Sequence, residues 1–418
     1  MVQSGNSSNI ITHPRLISLP HSPVHEIEVF TSIGEVPAGE WTVCINDAHL
    51  FLSIDYLKTA ESSSLPGMQF RYAILRNGGQ PVAILYFQLV NLSDTGLGGI
   101  LSLEEYGGLA GSLSTRINDI LFSPGKDKAS YILVCGNLLV SGEHGVAAVS
   151  EAEFKYAIEA ISPIKKVIAQ TLPSSARLVA FMVKDFYDPL NVFAKTILKR
   201  DYFLLNTDPE MIFEVSPDWK TFEDYRAALS SKYRVRTNNV LNKLGRVVIK
   251  ELGNDDIISK SKELFALNDH VIKKAPVKLA RPSEDYFLNL KKTYGNNYRI
   301  NGFFLDDKLI AFTSGLWNKV HYEAHYIGLN YELNQQYSLY QNILYAYIND
   351  AILCKSQRLF FGRTALEIKS TTGARPHHLA CYFRFANRIL NTLAKPLVSS
   401  TGPKDWIPRD PFKNIQDN

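Results

Sequence analysis

The chain contains two segments in which hydrophobic runs are interrupted by a short polar turn. From Met68, MQFRYAILRNGGQPVAILYFQLVNL predicts two strands joined by Asn-Gly-Gly, residues that tight hairpins favour. From Tyr298, YRINGFFLDDKLIAFTSGLWN has the same layout, with Arg299 in the place of Arg71. The repetition predicts that the chain contains two copies of one structural unit.

Each hairpin is followed by the same order of predicted elements. In the first half, SYILVCGNLLV predicts a strand, Ser150 and Glu153 form a capping-box pattern that begins a helix, and ARLVAFMVKDF predicts a further strand. In the second half, the strand KVHYEAHYIGL leads to the helix YSLYQNILYAYINDAILCK and the strand RLFFGR. The order predicts an α/β or α+β fold with two tandem lobes, each a mixed central sheet flanked by helices.

The length of 418 residues exceeds the size at which a single hydrophobic core stops growing, so we expect more than one domain. Residues 1–40 are predicted to form an irregular arm with a short strand near EIEVF, and residues 41–215 the first lobe. Residues 216–280 are predicted as a basic helical connection that belongs to the second lobe. Residues 281–418 are predicted to hold the core of the second lobe and a C-terminal tail.

The composition, 45% hydrophobic and 21% charged, is typical of a globular protein. The sequence shows neither a secretory leader nor an apolar run of membrane-spanning length, so we expect a cytoplasmic protein without a transmembrane segment. The four cysteines form no CxxC or Cys/His cluster, which predicts reduced core residues and no metal site. The net charge of +4 is mild, but the segment 226–250 carries seven Lys or Arg residues and no acidic residue. That segment could meet a polyanion.

Two sequence motifs carry a resemblance to a known family. The order of elements, the Tyr-x-x-x-Leu-x-x-Lys-Tyr-Arg pattern from Tyr225 to Arg234, and the ending FGRTALEIKSTTGA resemble GNAT-like acyltransferases of the FemAB/peptidoglycan-aminoacyltransferase type. Such proteins carry two GNAT-like lobes in one chain, and the resemblance covers about residues 40–395. It implies an N-acetyltransferase-like or aminoacyltransferase-like enzyme. The donor would be a coenzyme A thioester or an aminoacyl-tRNA, and the amine or hydroxyl acceptor a small molecule or a lipid or cell-wall precursor.

The strand KVHYEAHYIG offers candidate general bases. Period-two alternation places His321, Glu323 and His325 on one face. The opposite face then holds Tyr322, Ala324 and Tyr326. An attacking amine must lose a proton, so we predict that His325 is the general base and that Glu323 orients it. The alternative is a polar strand face that meets only water.

The stretch GRTALEIKSTTGARP combines helix signals with possible ligand contacts. Thr364 is predicted to cap a helix whose early turns hold Glu367 and Lys369, and Gly373 to end it. Arg363 follows a buried strand, where a guanidinium suits a carboxylate or phosphate ligand. We predict that Arg363 binds substrate with support from Thr364, Glu367 and Lys369. Glu367 could instead pair with Arg363 within the helix.

Phosphate groups of a donor have two candidate binding regions. Gly142 and Gly145 in SGEHG precede the first long helix and are predicted to bind a cofactor through backbone N–H groups. The corresponding turn of the second half, NYELNQQ, has no glycine. Lys232, Arg234 and Arg236 in the basic segment are predicted to hold a phosphate-bearing donor or acceptor, although such residues also form ordinary solvated helix faces.

Two other hypotheses for the function remain open. The duplicated chain could be a non-catalytic protein that binds a phosphorylated metabolite or RNA through its basic segment. Alternatively, one lobe could be structural while the other is active, which fits the second turn without glycine. The hypothesis of a non-catalytic binding protein predicts that no thioester or aminoacyl donor is consumed.

Overall fold

The structure, a computed structural model, describes residues 15–19, 22–47, 49–92, 129–274, 281–399 and 406–413. These residues form two mixed β-sheets and the helices that pack against them, which confirms the predicted fold class. Within the described ranges, no helix is both long and apolar enough to cross a membrane.

The first sheet has nine strands, which the chain supplies from both ends. They are β1 (Arg15–Leu19), β2 (Ser22–Phe30), β3 (Met68–Asn77), β4 (Gln80–Asn91), β5 (Ala129–Cys135), β6 (Val146–Ala148), β7 (Ala176–Phe186), β8 (Phe203–Leu205) and β16 (Ala380–Phe385). Their order is β1-β2-β3-β4-β5-β7-β16-β8, and β6 pairs with β4. The helices of this part of the chain are α1 (Ala38–Val43), α2 (Ile54–Ser62), α3 (Glu151–Thr171) and α4 (Leu190–Leu198).

The second sheet has seven strands in the order β10-β11-β12-β13-β14-β9-β15. They are β9 (Glu210–Glu214), β10 (Val248–Glu251), β11 (Tyr298–Leu305), β12 (Lys308–Trp317), β13 (His321–Leu329), β14 (Arg358–Phe360) and β15 (Arg375–His377). The remaining helices are α5 (Phe222–Ala228), α6 (Ser231–Asn242), α7 (Asn254–Ser259), α8 (Ser261–Lys274), α9 (Glu284–Tyr294), α10 (Tyr331–Tyr337), α11 (Leu339–Leu353), α12 (Leu366–Ser370) and α13 (Arg388–Ser399).

The predicted duplication is visible as one arrangement of strands and helices that occurs in both lobes. Each hairpin turns through two residues with left-handed backbone angles, Gly78 and Gly79 between β3 and β4, and Asp306 and Asp307 between β11 and β12. The next strand of each lobe, β5 or β13, is antiparallel to the hairpin and parallel to a later strand, β7 or β14. Helix α3 makes the crossover in the first lobe and α10 with α11 in the second, and Ser150 caps α3 as predicted.

The two lobes exchange one strand each. Strand β9 follows the first lobe along the chain but lies between β14 and β15 in the second sheet. Strand β16 follows the second lobe but lies between β7 and β8 in the first sheet. The predicted ranges, 41–215 and 281–418, place β9 in the first lobe and β16 in the second, whereas each strand lies in the sheet of the other lobe. Hydrophobic alternation marks a strand but carries no information about its partner.

The predicted irregular arm is partly a sheet edge. The strand expected near EIEVF lies within β2, which pairs with β3, and β1 pairs with β2. Ile27 and Val29 of β2 are buried in the first lobe. The other residues of the predicted arm before β1, together with residues 20 and 21, lie outside the described residues. The strand near EIEVF is therefore present as expected, whereas β1 and the start of β2 form sheet where irregular structure was expected.

The lobes also share a core. Tyr56 of α2 and Tyr286 of α9 join their hydroxyl groups across the boundary at 2.8 Å, and Thr59 and Thr293 do the same at 2.8 Å. All four side chains come from helices that directly precede the two hairpins in the chain. Fully buried aromatic side chains of both lobes pack around these contacts. Part of the boundary between the lobes is therefore a hydrophobic core.

Strand exchange predicts that a substitution in β16 weakens the first lobe. Phe383 lies between Met182 of β7 and Phe203 of β8, and proline there removes a ladder N–H from an interior strand. We expect Phe383→Pro to lower the free energy of unfolding by about 3 kcal/mol or more. Hydrogen exchange should show lost protection in β7 and β8 while β11 and β12 stay protected. Phe383→Leu, which keeps the N–H, is the control, and loss confined to the second sheet would contradict the exchange.

Candidate active site

A buried carboxylate joins the two lobes at the end of β7. Asp185 is fully buried and has a left-handed backbone angle, φ 65°. Its Oδ2 accepts hydrogen bonds from the Gly142 N–H at 3.0 Å and from the Lys184 ammonium. Its Oδ1 accepts from Arg363 of the second lobe and, at 3.1 Å, from the Cys381 thiol of the exchanged strand β16. One side chain thus contacts the first lobe, the second lobe and the exchanged strand.

The surrounding cations decide the charge of Asp185. Burial alone would raise its pKa, but the Lys184 ammonium and the Arg363 guanidinium outweigh burial and hold the pKa below its ordinary value. The carboxylate is therefore charged at neutral pH. Burial lowers the pKa of Arg363 and the Asp185 charge raises it, with a net rise. This arrangement is a buried ion pair between the lobes.

Arg363 lines the first cavity described below, and its acidic partner is not the expected one. Its guanidinium pairs with Asp185, whereas Glu367 accepts a hydrogen bond from Arg409 at 2.6 Å on the surface. The pairing of Glu367 with Arg363 is therefore wrong, and Glu367 lines neither of the two cavities described below. In the described part of the chain, the Nε of Arg363 is buried without a hydrogen-bond partner.

The first cavity opens where β13 and β14 separate. These strands pair only from His321 with Arg358 to Glu323 with Phe360, and β13 then continues to Leu329 alone on that side. A cavity of about 550 Å³ lies beyond the last pair, between β13, α8, α11 and the residues that follow β14. Splayed parallel strands expose backbone groups to a ligand, as the GNAT-like resemblance implies.

The corresponding position in the first lobe is closed. Strands β5 and β7 stay paired as far as Cys135 with Val183, where β5 ends. Beyond that pair, Lys184 donates hydrogen bonds to the carbonyl oxygens of Asn137 at 2.7 Å and Val140 at 3.0 Å. Its side chain therefore occupies the space that the second lobe leaves open.

The second cavity, of about 390 Å³, lies between one face of the second sheet and a loop of the first lobe. The sheet contributes His321, Glu323, Arg358, Phe360, Ile212 and His377, and the first lobe contributes Phe51, Ser141, Gly142, Glu143, Tyr187 and Asp188. The two cavities share three lining residues, which are Phe51, Ser141 and Glu323. Glu323 therefore stands in the wall between them.

Glu323 belongs to a group of carboxyl groups with raised pKa values. Burial, followed by the nearby Glu210 and Glu143, raises the pKa of Glu323 well above its ordinary value. Burial likewise raises the pKa values of Glu210 and Glu143 to about 7 each. Tyr187 donates its hydroxyl hydrogen to Glu210, and the Gly145 N–H donates to Glu143 at 2.9 Å. With pKa values of about 7, Glu210 and Glu143 can exchange protons near neutral pH.

His325 faces the first lobe with His321 and Glu323, but its environment is apolar. Its Nε2 lies 3.3 Å from the Tyr286 hydroxyl, and its ring packs near Phe51. Burial lowers the pKa of His325 to about 3, so the imidazole is neutral over the physiological range. In the described structure no hydrogen bond joins it to Glu323, so the predicted orienting contact is not made.

A β-bulge breaks the predicted alternation of β13. The pairing with β12 passes from Gly315 with Ala324 directly to Ser314 with Tyr326. Tyr326 was expected on the face opposite His325 but packs with Tyr286 on the same side, towards the first lobe. That expectation is wrong because the extra residue of a bulge shifts every later side chain to the other face.

Lys369 holds the backbone after β14 in place. Its ammonium donates to three successive carbonyl oxygens, those of residues 361 to 363, at 2.8, 3.0 and 2.6 Å. All three of its hydrogens thus have backbone partners, so Lys369 shapes the wall of the first cavity. Thr364 lines the same cavity. The prediction that Thr364 caps α12 is wrong, because the capping position is Ala365, which has a left-handed backbone and no side-chain hydrogen bond.

The predicted phosphate-binding residues lie apart from the first cavity. The Gly142 and Gly145 N–H groups donate to the carboxylates of Asp185 and Glu143, so a phosphate would have to displace a carboxylate at each. Gly142 lines only the second cavity. Lys232, Arg234 and Arg236 lie on α6 and line neither cavity.

The sequence did not identify five residues of this site, which are Asp185, Lys184, Glu143, Glu210 and Tyr187. A signal for Asp185 was available, because this charged residue lies near the end of β7, and Arg363 lies soon after the end of β14 in the repeated unit. A comparison of the charged residues near these two strand ends would have singled out Asp185 as a candidate partner for Arg363. Glu210 could not be found in this way, because it lies in the exchanged strand β9.

Comparisons with known proteins bear on the fold. No protein-family model matches the chain, and no curated protein matches it in sequence. The solved structure of FemX superimposes with a TM-score of 0.51 at 10% identity, over 86% of this chain and 99% of FemX. The chain has the FemAB-type fold of two tandem GNAT-like lobes.

Two further solved structures are similar over most of the chain, at lower TM-scores. A tandem GNAT protein from the clavulanic acid biosynthesis pathway gives 0.45 at 9% identity, over 86% of this chain and 99% of its own. A conserved protein of unknown function from Bacteroides thetaiotaomicron gives 0.44 at 12% identity, over 84% and 97%. In the FemAB-type fold of this protein, the open splay lies in the second lobe and both cavities adjoin the boundary between the lobes.

Replacing Asp185 tests the ion pair. Asp185→Asn leaves two largely buried cations, Lys184 and Arg363, without their carboxylate. We expect the free energy of unfolding to fall by about 3–5 kcal/mol in denaturant titration. The control is Asp410→Asn, which breaks the exposed ion pair with Arg375 and should cost about 1 kcal/mol or less. Equal losses for the two variants would contradict a special role for Asp185.

The raised carboxyl pKa values predict how stability varies with pH. Glu143 and Glu210 have pKa values of about 7 in the folded protein and about 4.5 when unfolded, so the folded state binds more protons between these values. Their contribution to stability is therefore lost as the pH rises from about 4.5 to 7. Glu210→Gln should reduce the stability loss between pH 5 and 8 by about 1–3 kcal/mol. Glu214→Gln, at an exposed position of the same strand, should leave the slope unchanged.

Proposed function

We propose that this protein is an acyltransferase that holds an activated acyl or aminoacyl donor in the first cavity and an amine or hydroxyl acceptor in the second. The observation that carries the proposal is the shared wall, in which Glu323 reaches both cavities. A nucleophile entering from one side and a carbonyl group entering from the other would meet at this residue. The FemAB-type fold supports the same class of reaction.

Glu323 would act as the general base. The lone pair of the acceptor nitrogen or oxygen attacks the donor carbonyl carbon, and the Glu323 carboxylate accepts the proton that the nucleophile loses. The tetrahedral intermediate then collapses, the bond to the leaving sulfur or oxygen breaks, and that proton returns to the leaving group. A raised pKa makes the carboxylate a stronger base, while the neighbouring Glu210 and Glu143 limit the fraction that is ionised.

His325 has a different role in this proposal from the one expected of it. A histidine whose pKa lies near 3 is a weak base, so it would take little of the proton from an acceptor. Its neutral ring would instead form part of the apolar wall that receives the donor. Phe51, which packs near this ring, extends the same wall into the second cavity.

The proposed donors, coenzyme A thioesters and aminoacyl-tRNA, both carry phosphate groups. Besides Lys369, whose hydrogens have backbone partners, two cations line the first cavity. They are Arg363, with its unpartnered Nε, and Lys274, whose ammonium lies 3.6 Å from the centre of the Tyr331 ring. The turn after β13 is capped by the Asn330 side chain, which accepts from the Glu332 N–H. A glycine cradle for pyrophosphate is therefore not built at this turn.

The basic helix α6 remains a proposed contact for a larger donor. Lys232 and Arg236 are exposed on it, and Arg234 is half-buried, donating to the Leu229 carbonyl oxygen at 3.4 Å. An aminoacyl-tRNA reaches far beyond the first cavity, so exposed cations on a neighbouring helix suit its backbone. Binding that weakens steeply with added salt would support this contact.

Replacement of Glu323 tests the chemistry. Glu323→Gln should lower kcat by about 10²- to 10⁴-fold without weakening acceptor binding, because only proton transfer is lost. The loss should be measured as consumption of acetyl-CoA, a longer acyl-CoA and aminoacyl-tRNA in separate assays over pH 6 to 9. The rate of the unmodified protein should rise with pH as Glu323 ionises, and Glu323→Gln should lack this rise.

His325→Gln provides the comparison for this experiment. We expect it to lower kcat by less than about 10-fold, since proton transfer remains with Glu323. A loss as large as that of Glu323→Gln would return the base to His325. If no donor is consumed by the unmodified protein, the acyltransferase proposal fails and a binding function takes its place.

A further inference from the structure

The second cavity separates positive from negative groups. Its floor is one face of the second sheet, where the pairing places His321 beside Arg358, and where β15 adds His377. Its roof comes from the first lobe, which adds Glu143 and Asp188. The basic side chains thus come from one lobe and most of the acidic side chains from the other.

The basic end is suited to an anion. Burial lowers the pKa values of His321 and His377, and the Arg358 charge lowers both further. Within the described residues, the Nδ1 of His321 is buried without a hydrogen-bond partner. Arg358 gives its Nε to Glu214 at 2.8 Å, and its side chain is about half exposed at 47%. A bound anion would accept hydrogen bonds from the Arg358 guanidinium and from His321, and its charge would favour the protonated imidazole.

The acidic end lies where the proposed reaction takes place. Glu323 is two residues from His321 on the same face of β13, and this spacing is about 7 Å along a strand. Glu143 and Asp188 face the same cavity from the first lobe. Phe360 and Ile212 lie beside Glu323 on neighbouring strands and contribute apolar floor to the cavity. The cavity therefore offers a carboxyl group that can accept a proton and, about 7 Å along the strand, the Arg358 cation beside His321.

We propose that the acceptor is an amine that also carries an anionic group, a carboxylate or a phosphate, separated from the nitrogen by an apolar spacer of about 7 Å. The amine lies at Glu323 and Glu143, and the anionic group lies at Arg358 and His321. The binding site follows from the cavity alone, whereas the role of the ligand as acceptor rests on the proposed function. Hydroxyl acceptors and amines without a negative charge lack a partner for the basic end.

Calorimetric binding of matched probes tests this inference. The probes are 6-aminohexanoate, 4-aminobutyl phosphate, hexylamine without an anionic group, and hexanoate without an amine. We expect at least one of the two zwitterionic probes to bind about 10-fold or more tightly than hexylamine and hexanoate, since a charge-assisted contact is added at each end. The better of the two identifies carboxylate or phosphate as the anionic group.

Two arginine variants provide the matched comparison. Arg358→Gln should remove the advantage of the zwitterionic probe over hexylamine and leave hexylamine binding unchanged. Arg375→Gln replaces an exposed arginine of the neighbouring strand β15 that lies outside the cavity, and it should keep the advantage. Equal binding of hexylamine and both zwitterionic probes to the unmodified protein would overturn the inference. An equal loss in both arginine variants would overturn it as well.

Turnover separates this inference from the proposed function. If the zwitterionic probe binds through Arg358 and no donor is consumed, the binding site stands and the acyltransferase proposal fails. If a donor is consumed and hexylamine is acylated as efficiently as 6-aminohexanoate and 4-aminobutyl phosphate, the acyltransferase proposal stands and this inference is overturned.

Discussion

The organisation of the molecule depends on the buried carboxylate of Asp185. Two largely buried cations, Lys184 and Arg363, share it as their counter-ion, and its oxygens also accept from Gly142 and Cys381. A buried ion pair need not be more stable than an apolar contact of equal size, but it tolerates few alternative arrangements. We infer that Asp185 fixes how the second lobe docks on the first, and with it the position of both cavities.

The same contact explains why duplicated lobes are not equivalent. In the first lobe, Lys184 turns towards Asp185 and the carbonyl oxygens of the preceding loop, so the space beside β7 is filled. In the second lobe, Arg363 leaves its sheet to reach Asp185, and β14 ends after three residues. Strand β13 then lacks a neighbour, and a cavity opens. Lys184 therefore fills the splay of the first lobe, whereas the splay of the second lobe, next to Arg363, stays open.

Local sequence patterns were sufficient for the elements and for the duplication. Alternation and turn residues identified both hairpins, and Ser150 identified the start of α3, because these features depend on neighbouring residues. The partners of β9 and β16 could not be read in this way, since strand pairing depends on distant segments. For the same reason Arg363 and Glu323 were recognised as polar residues on a strand face or end, while Asp185, which fixes Arg363, was missed. No sequence pattern identified the β-bulge at His325, so simple alternation assigned Tyr326 to the wrong face.

The exchange of β9 and β16 has a consequence for biosynthesis. Strand β16 is translated after nearly all of the second lobe, yet it belongs between β7 and β8 in the middle of the first sheet. Until β16 has been translated, its position in the first sheet is unfilled. The strand edges exposed there favour unwanted pairing. Neither half can complete its sheet from its own segment alone. Removal of either lobe would therefore also remove a strand from the sheet of the other.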